Sequence, residues 1–246
     1  MADADFDIIV VGSGFAGAAA AYVAAKEGKS VLVVERGEYA GAKNMTGGRV
    51  YAHSLKSLFD DYSDGEITLE DIPFDRKITH ERISMMDPTS NMTIDFTSPE
   101  LSIAGGGSYS VLRGEFDQWL AEQAENAGAE YIYGIAVEEL LRDDSGRVTG
   151  IKAGDDEITA QVVIDAEGVN SLLAERSLGC KRPETHEMAV GIKEVYELPA
   201  SQIEDRFLLP AGEGAAMLFV GDCTHGNVGG GFLYTNKDSI SIGLVA

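Results

Sequence analysis

Four residues near the N-terminus, Gly12, Gly14, Gly17 and Glu35, have the types and spacing that suit a bound dinucleotide. Gly12 permits a tight turn, Gly14 lets the backbone approach a pyrophosphate, and Gly17 lets a helix pack closely on a strand. Phosphates at such a site face unpaired backbone N–H groups and the positive end of the helix dipole. An acid about 20 residues further on accepts hydrogen bonds from ribose hydroxyls and repels a 2′-phosphate, which favours FAD or NAD over NADP.

The residues around these glycines predict the strand, helix and strand that must position them. Residues 8–11 form a short β-branched run, which suits a strand buried on both faces. Residues 15–27 are mostly alanine, and Gly28 follows at a helix C-cap position. Residues 31–34 form a second buried strand just before the acid. An ordinary glycine-rich junction is the alternative, but the register of all four features favours a dinucleotide site.

The composition excludes several classes of partner. Forty-one acidic residues oppose nineteen basic ones in a chain of 246 residues, and the net charge is -22. Because no cluster of lysine or arginine interrupts this acidity, nucleic acid is an improbable partner. No 18-residue apolar run is present and the N-terminus is acidic, so the sequence predicts no transmembrane segment and a cytoplasmic protein. Peripheral contact with the inner face of a membrane would need an apolar patch, and the sequence leaves it open.

The cysteines and histidines indicate no metal site and no catalytic residue. Cys180 and Cys223 are far apart and form no C-x-x-C pair, so we expect neither a disulfide framework nor a zinc or iron–sulfur centre. The four histidines are scattered, with no orienting partner visible in the sequence.

The rest of the chain predicts further helices and strands. Residues 51–107 are the least regular, and they end in Gly105, Gly106 and Gly107. Arg113 stands just ahead of an amphipathic helix that Gly128 closes. The runs 136–142, 147–153 and 157–168 then have the pattern of an antiparallel meander.

From Met188 onward the pattern is strands alone, which suggests a second, antiparallel sheet of the α+β kind. The final run still alternates at Ala246, so we expect the chain to stop inside its fold.

Several stretches resemble the N-terminal part of FixC-type flavoproteins: "VVGSGFAG", "VLVVERGEYAGAKNMTGGRVYAHSL", "VLRGEFDQWLAEQAENAGAE", "VVIDAEGVNSLLAERSLG" and "GGGFLYTNKDSISIGLV". These proteins are similar to electron-transfer flavoprotein:quinone oxidoreductases and, more distantly, to geranylgeranyl reductases. The resemblance covers residues 5–246.

The resemblance implies an α/β fold, α+β overall, in which a Rossmann-like FAD-binding domain carries an inserted antiparallel-sheet substrate domain. This is similar to the p-hydroxybenzoate-hydroxylase-like fold, and it would be incomplete at its C-terminal end. We expect residues 1–75 and 101–180 to form the FAD-binding domain. Residues 76–100 and 181–246 would form the substrate domain.

The resemblance also implies FAD as the cofactor and assigns residues to its parts. The pyrophosphate would lie on Gly12, Ser13, Gly14, Phe15, Ala16 and Gly17. Glu35 and Arg36 would lie at the adenosine ribose, Arg113 at the phosphates and Val137 at the adenine. Asn44, Met45, Thr46, Gly47 and Gly48 would run near the isoalloxazine ring, and a turn with Glu167 and Gly168 beside the cofactor.

Simpler structural roles compete with these assignments. Arg113 could be a surface cation near a helix start, Glu167 and Gly168 only a turn, and Gly47 and Gly48 only loop glycines.

The function that the resemblance implies is that of an FAD-dependent oxidoreductase. It would take electrons from an electron-transfer flavoprotein and pass them to a ferredoxin-like protein or a quinone. The chain has no second G-x-G-x-x-G unit for a nicotinamide, which supports a protein donor. The alternatives are a geranylgeranyl-type isoprenoid reductase and a truncated, non-catalytic nucleotide-binding module. Full-length relatives carry a further Gly-Asp flavin motif beyond the length of this chain, and those that reduce quinone use an iron–sulfur cluster.

Overall fold

A computed structural model describes residues 4–44, 47–99, 101 and 107–246. The chain divides into two compact units, each built from two segments. The first unit comprises Met1–Asn44 and Arg113–Arg182. The second comprises Met45–Leu112 and Pro183–Ala246.

The described part of the chain consists mainly of β-strands and α-helices. The strands are β1 (Phe6–Val11), β2 (Val31–Glu35), β3 (Gly47–Tyr51), β4 (Lys77–Met86), β5 (Asn91–Thr97), β6 (Ser108–Leu112), β7 (Glu130–Tyr133), β8 (Val137–Arg142), β9 (Val148–Ala153), β10 (Asp156–Asp165), β11 (Gly191–Glu197), β12 (Glu213–Gly221), β13 (Gly230–Thr235) and β14 (Ser239–Val245). The α-helices are α1 (Phe15–Lys26), α2 (His53–Tyr62), α3 (Arg113–Asn126), α4 (Leu172–Leu178) and α5 (Ala200–Phe207).

The first unit is built on a six-stranded sheet in the order β7-β2-β1-β10-β9-β8. β7, β2, β1 and β10 are parallel, whereas β8, β9 and β10 form the antiparallel meander that the sequence predicted. Strand β1 buries residues 9–11 and strand β2 buries residues 31–34, as their β-branched runs require. Because Val11 pairs with Asp165, the loop after β1 and the turn after β10 leave the sheet at the same edge.

Helix α1 packs against α3 in the first unit. The buried residues of α1 are Gly17, Ala18, Ala21, Tyr22 and Ala25, and Gly17 faces Val10 of β1 and the Gly12 carbonyl group. At the start of both helices the rings of Phe15 and Phe116 stack with centroids 4.4 Å apart. The beginning of α3 is thereby held beside the glycine loop.

The second unit is built on an eight-stranded sheet. Seven strands follow the order β11-β14-β13-β12-β4-β6-β3, and β5 pairs with β4. The pairs are antiparallel, as expected, except that β4 and β12 run parallel. The exception is possible because these two strands are far apart in sequence, so no hairpin dictates their direction. Ile203 of α5 and Ala215 of β12 lie in one buried cluster.

The predicted domain division differs from the structure widely at the first two of its three boundaries and by two residues at the third. The sequence prediction assigned residues 45–75 and 101–112 to the first domain, but they belong to the second unit. The physical reason is strand pairing: β3 pairs with β6 along its whole length, and β6 also bonds to β4. These strands are five residues long and carry weak patterns, so their pairing could not be read from the sequence. Helix α3 also begins at Arg113 itself rather than after it.

Candidate cofactor site

The glycine loop between β1 and α1 adopts a conformation that other residues would strain. Gly12 has φ +97°, and a Cβ on it would lie 2.7 Å from the Ala166 carbonyl oxygen. A Cβ on Gly17 would lie 1.9 Å from the Gly12 carbonyl oxygen. Both positions therefore require glycine, because the turn after β10 and the first turn of α1 pack directly against the loop.

Gly14 differs from these two glycines because the space beside it is open. Its φ is -83°, which any residue can adopt. The atoms nearest to a Cβ on Gly14 would be Arg113 Nη2 at 3.4 Å and Asn44 Nδ2 at 3.8 Å. Gly14 is the N-cap of α1, and no side chain caps the helix there. The start of α1 thus has no capping side chain, and two side-chain donors lie beside Gly14.

Glu35 is held in place by two backbone N–H groups. Its Oε2 accepts a hydrogen bond of 2.8 Å from the Ser13 N–H, and its Oε1 accepts one of 2.7 Å from the Gly37 N–H. An ionised carboxylate has about four acceptor positions, so each oxygen keeps the capacity to accept a hydroxyl. The acid at the end of β2 is therefore fixed beside the glycine loop.

Arg113 and Asn44 converge on the buried carboxylate of Asp117. Arg113 Nε and Nη2 donate to the two oxygens of Asp117 at 2.7 and 2.8 Å, and Asn44 Nδ2 also donates to Asp117. The guanidinium lies over the Phe15 ring, 4.5 Å from its centroid. The first turns of α1 and α3 and the segment after β2 therefore contribute a ring, an ion pair and an amide to one connected arrangement.

A cavity of about 630 Å³ opens at this edge of the first unit. Many of the residues expected at FAD line it: Gly12, Ser13, Gly14, Phe15, Ala16, Glu35, Arg36, Asn44, Arg113, Val137, Glu167 and Gly168. Its charged lining consists of four cations (Arg36, Lys43, Arg113 and Arg176) and three acids (Glu35, Glu138 and Glu167). The lining thus carries one more cation than acids, in a chain that is strongly acidic overall.

These residues fit the phosphates and ribose of FAD. The uncapped start of α1 and the absent side chain of Gly14 leave room for an anion. Arg113 supplies a cation with a planar set of donors, and Glu35 supplies acceptors for hydroxyls.

The other residues predicted to contact FAD lie near the start of α4, at the start of β8, in β3 of the second unit, or outside the described residues. Glu167 Oε2 accepts a hydrogen bond of 2.7 Å from the Leu173 N–H near the start of α4, so this side chain has a local structural contact. Gly168 is exposed with φ +75°, and Val137 begins β8. Gly47 and Gly48 lie in β3 of the second unit. Met45 and Thr46 lie outside the described residues.

Sequence reasoning missed Asp117 and Gly41. The sequence does not single out Asp117 because an acid in a helix is ordinarily exposed, whereas this one is buried. Its spacing of four residues from Arg113 was the available signal, since residues four apart on a helix are neighbours. Gly41 has φ +86°, and nothing in its sequence context distinguished it from other loop glycines.

Neither a metal-binding group nor a membrane-crossing helix was found in the described ranges. No three His, Cys, Asp or Glu side chains there are grouped so that they could hold a metal ion. None of the helices in those ranges is both long and apolar enough to cross a membrane. Cys180 and Cys223 are free thiols.

Comparisons with known proteins identify the family of the chain. Residues 7–181 match the FAD dependent oxidoreductase family. The chain is 52% identical over 245 residues to Protein FixC of Salmonella typhi, covering 100% of this chain and 56% of that protein. It is 50% identical over 246 residues to the probable electron transfer flavoprotein-quinone oxidoreductase YdiS of Escherichia coli K12, again covering 100% and 56%. The chain therefore spans little more than half the length of these relatives.

Solved structures show the same fold at low sequence identity. A geranylgeranyl bacteriochlorophyll reductase-like protein from Thermoplasma acidophilum has a TM-score of 0.72 at 20% identity, over 98% of this chain and 56% of that one. A probable FAD-dependent monooxygenase from Pseudomonas aeruginosa has a TM-score of 0.69 at 16% identity, over 98% and 60%.

The comparisons confirm the expected resemblance to FixC-type flavoproteins and the p-hydroxybenzoate-hydroxylase-like fold. The predicted cofactor class, FAD, is confirmed by the family match. Because this match extends over more than half of the chain, the protein belongs to the FAD-dependent oxidoreductase family.

Proposed function

We propose that this protein acts as an FAD-dependent oxidoreductase that takes electrons from an electron-transfer flavoprotein and passes them to a ferredoxin-like protein or a quinone. The observation that carries this proposal is the similarity of the whole chain to FixC and to a probable electron transfer flavoprotein-quinone oxidoreductase. The cavity at the glycine loop supports it, since its lining suits the phosphates of a dinucleotide.

In this proposal the residues of the first unit hold the phosphate and adenosine parts of FAD. The backbone from Gly12 to Gly17 binds the pyrophosphate at the start of α1, and Arg113 donates hydrogen bonds to it. Glu35 accepts hydrogen bonds from the ribose hydroxyls, with Arg36 beside that ribose. The backbone of Val137 lies at the adenine.

The ring end of FAD is assigned to the segment that follows. We propose that Asn44, Met45, Thr46, Gly47 and Gly48 run near the isoalloxazine. When bound, this ring supplies the redox chemistry, and the protein supplies binding, orientation and electrostatics. We therefore assign no catalytic acid or base.

Anaerobic electron-transfer kinetics test the proposed function. The chain loaded with FAD would be mixed with a catalytic amount of an electron-transfer flavoprotein that its own dehydrogenase keeps reduced, so that loss of the oxidised flavin absorbance reports the FAD of the chain. We expect reduction by this donor and little reduction by NADH or NADPH, with reoxidation by a ferredoxin-like protein or a quinone. Direct reduction by a nicotinamide, with none by the flavoprotein, would contradict the proposal. If no donor reduces the FAD-loaded protein, that result would support the alternative of a non-catalytic nucleotide-binding module.

A second candidate, an isoprenoid reductase, is supported by an apolar cavity in the second unit. This cavity has a volume of about 470 Å³. Its apolar side chains include Met86, Ile192, Phe219, Phe232, Ile242 and Leu244. The discriminating assay follows the reoxidation of chemically reduced protein by a geranylgeranyl lipid. Saturation of the lipid double bonds, detected by mass spectrometry, would favour this candidate over electron transfer.

A further inference from the structure

We infer that Asp117 is a positioning residue that holds the Arg113 guanidinium in place for the phosphates of FAD and ties the Asn44 amide to it. The inference rests on the proposed FAD site and deepens it. Asp117 is absent from the cavity lining, so its effect on a ligand must be transmitted by the two side chains that it binds.

The environment of Asp117 is specific for this role. The side chain is 0% exposed, and it lies one helical turn after Arg113 in α3. A buried carboxylate is tolerated only when it is paired and hydrogen-bonded. Asp117 meets this requirement with donors from Arg113 and Asn44, both of which line the cavity.

Arg113 is immobilised with part of its donor set still available. The two bonds to Asp117 engage two of the five N–H groups that a guanidinium carries. The Phe15 ring supports its flat face at 4.5 Å, and its Nη2 lies 3.4 Å from where a Cβ on Gly14 would be. Arg113 is thus oriented toward the proposed pyrophosphate position, and its contacts reduce the rotamer freedom that it would lose on binding.

Gly41 lets the chain approach Asp117 closely enough for Asn44 to bind it. A Cβ on Gly41 would lie 2.9 Å from both the Arg113 carbonyl oxygen and Asp117 Cβ. With no Cβ, the segment after β2 passes over the start of α3 and places Asn44 beside the carboxylate. Two segments that are distant in sequence therefore meet at one buried acid.

The sign of the effect distinguishes positioning from simple charge. Asp117→Asn removes a negative charge near a proposed anion site, so through-space electrostatics alone would tighten FAD binding. Loss of orientation has the opposite effect, because Arg113 must then be ordered when the ligand binds. Ordering one long side chain corresponds to roughly a 2- to 10-fold weaker affinity.

The test measures FAD affinity of the full chain by calorimetry for Asp117→Asn, Arg113→Gln and the double variant. We expect Asp117→Asn to weaken FAD binding and to leave adenosine, which lacks phosphates, unaffected. We also expect the double variant to bind FAD no more weakly than Arg113→Gln. The matched control is Glu115→Gln, which removes an exposed acid from the same helix. FAD binding to Asp117→Asn that equals or exceeds the parent affinity would overturn the inference.

A second readout needs neither a variant nor a bound cofactor. The order parameter of the Arg113 Nε–H group, measured by NMR in the parent chain, should be that of a rigid group before FAD is added. A mobile Arg113 side chain in the free protein would refute the positioning role, even if Asp117→Asn failed to fold. If the parent chain binds no FAD while Arg113 is rigid, the proposed function fails, but the finding that Asp117 holds Arg113 rigid stands.

Discussion

Replacement of Gly14 by alanine should remove cofactor binding while the fold survives. An added Cβ would lie 3.4 Å from Arg113 Nη2 and 3.8 Å from Asn44 Nδ2, which are ordinary contact distances. Because φ at Gly14 is -83°, alanine is unstrained there. The same change at Gly17 puts a Cβ 1.9 Å from the Gly12 carbonyl oxygen, so the backbone must move.

The two variants should differ in their free energies of unfolding. Alanine is a poorer N-cap than glycine by about 0.5–1 kcal/mol, and a similar amount is regained because alanine restricts the unfolded chain. The unfolding free energy of Gly14→Ala should therefore stay within about 1 kcal/mol of the parent value. Gly17→Ala should lose about 3 kcal/mol through overpacking.

The effect of Gly14→Ala on affinity should be much larger than its effect on stability. If the methyl group displaces the pyrophosphate from two backbone N–H groups, the loss is about 1.5–3 kcal/mol for each charge-assisted hydrogen bond. Two such bonds correspond to roughly a 10²- to 10⁴-fold weaker affinity for FAD.

The assay combines calorimetric titration with FAD and urea denaturation of the same preparations. Gly114→Ala is the matched control, since a Cβ there has no atom within 4 Å and should leave FAD binding unchanged. The comparison requires a parent chain that binds FAD. If Gly14→Ala binds FAD as tightly as that parent chain, the pyrophosphate does not lie at Gly14, and the reasoning fails.

Three further predictions concern stability. Glu35→Gln should lower the unfolding free energy by about 1–3 kcal/mol in urea denaturation. The reason is that the NH₂ group of the glutamine would then face the backbone N–H group of Ser13 or Gly37, and two donors cannot form a hydrogen bond. Arg76→Met should lose about 3–5 kcal/mol by the same measurement, because the buried Arg76 guanidinium binds Glu204 and three backbone carbonyls; an unchanged value would refute its structural role. Hydrogen bonds from the hydroxyl and N–H groups of its own turn lower the pKa of Asp87 from 3.8 to about 2. Because the pKa is lowered in the folded state, ionised Asp87 stabilises the fold above about pH 4, and this stabilisation is lost as the pH falls toward 2. The difference in unfolding free energy between the parent and Asp87→Ala should therefore shrink over that window.

The sequence was sufficient to predict the glycine loop because its requirements are local. A short β-branched run, three spaced glycines, an alanine-rich helix and an acid all lie within one strand–helix–strand unit. The meander from β8 to β10 was likewise predictable, since each turn joins neighbours in sequence. The resemblance to FixC-type proteins supplied the cofactor and the more distant residues.

Features that depend on distant pairing were not predictable in this way. Strand β3 gives no clear pattern of its own, and it joins the second sheet only because β6 provides a partner about 60 residues later. In the sequence Asp117 resembles an ordinary acid on a helix, and only the folded structure brings Asn44 from a distant segment into contact with it. The parallel pair of β4 and β12 is set by the packing of the whole sheet rather than by a turn.

The central claim is that the first unit binds FAD through its pyrophosphate and adenosine. The most direct measurement is a competition titration, in which FAD binding to the chain is followed by flavin fluorescence with ADP or riboflavin as the competitor. The account predicts saturable binding of one FAD per chain, displacement by ADP, and no displacement by riboflavin. Absence of saturable FAD binding, or displacement by riboflavin but not by ADP, would contradict it.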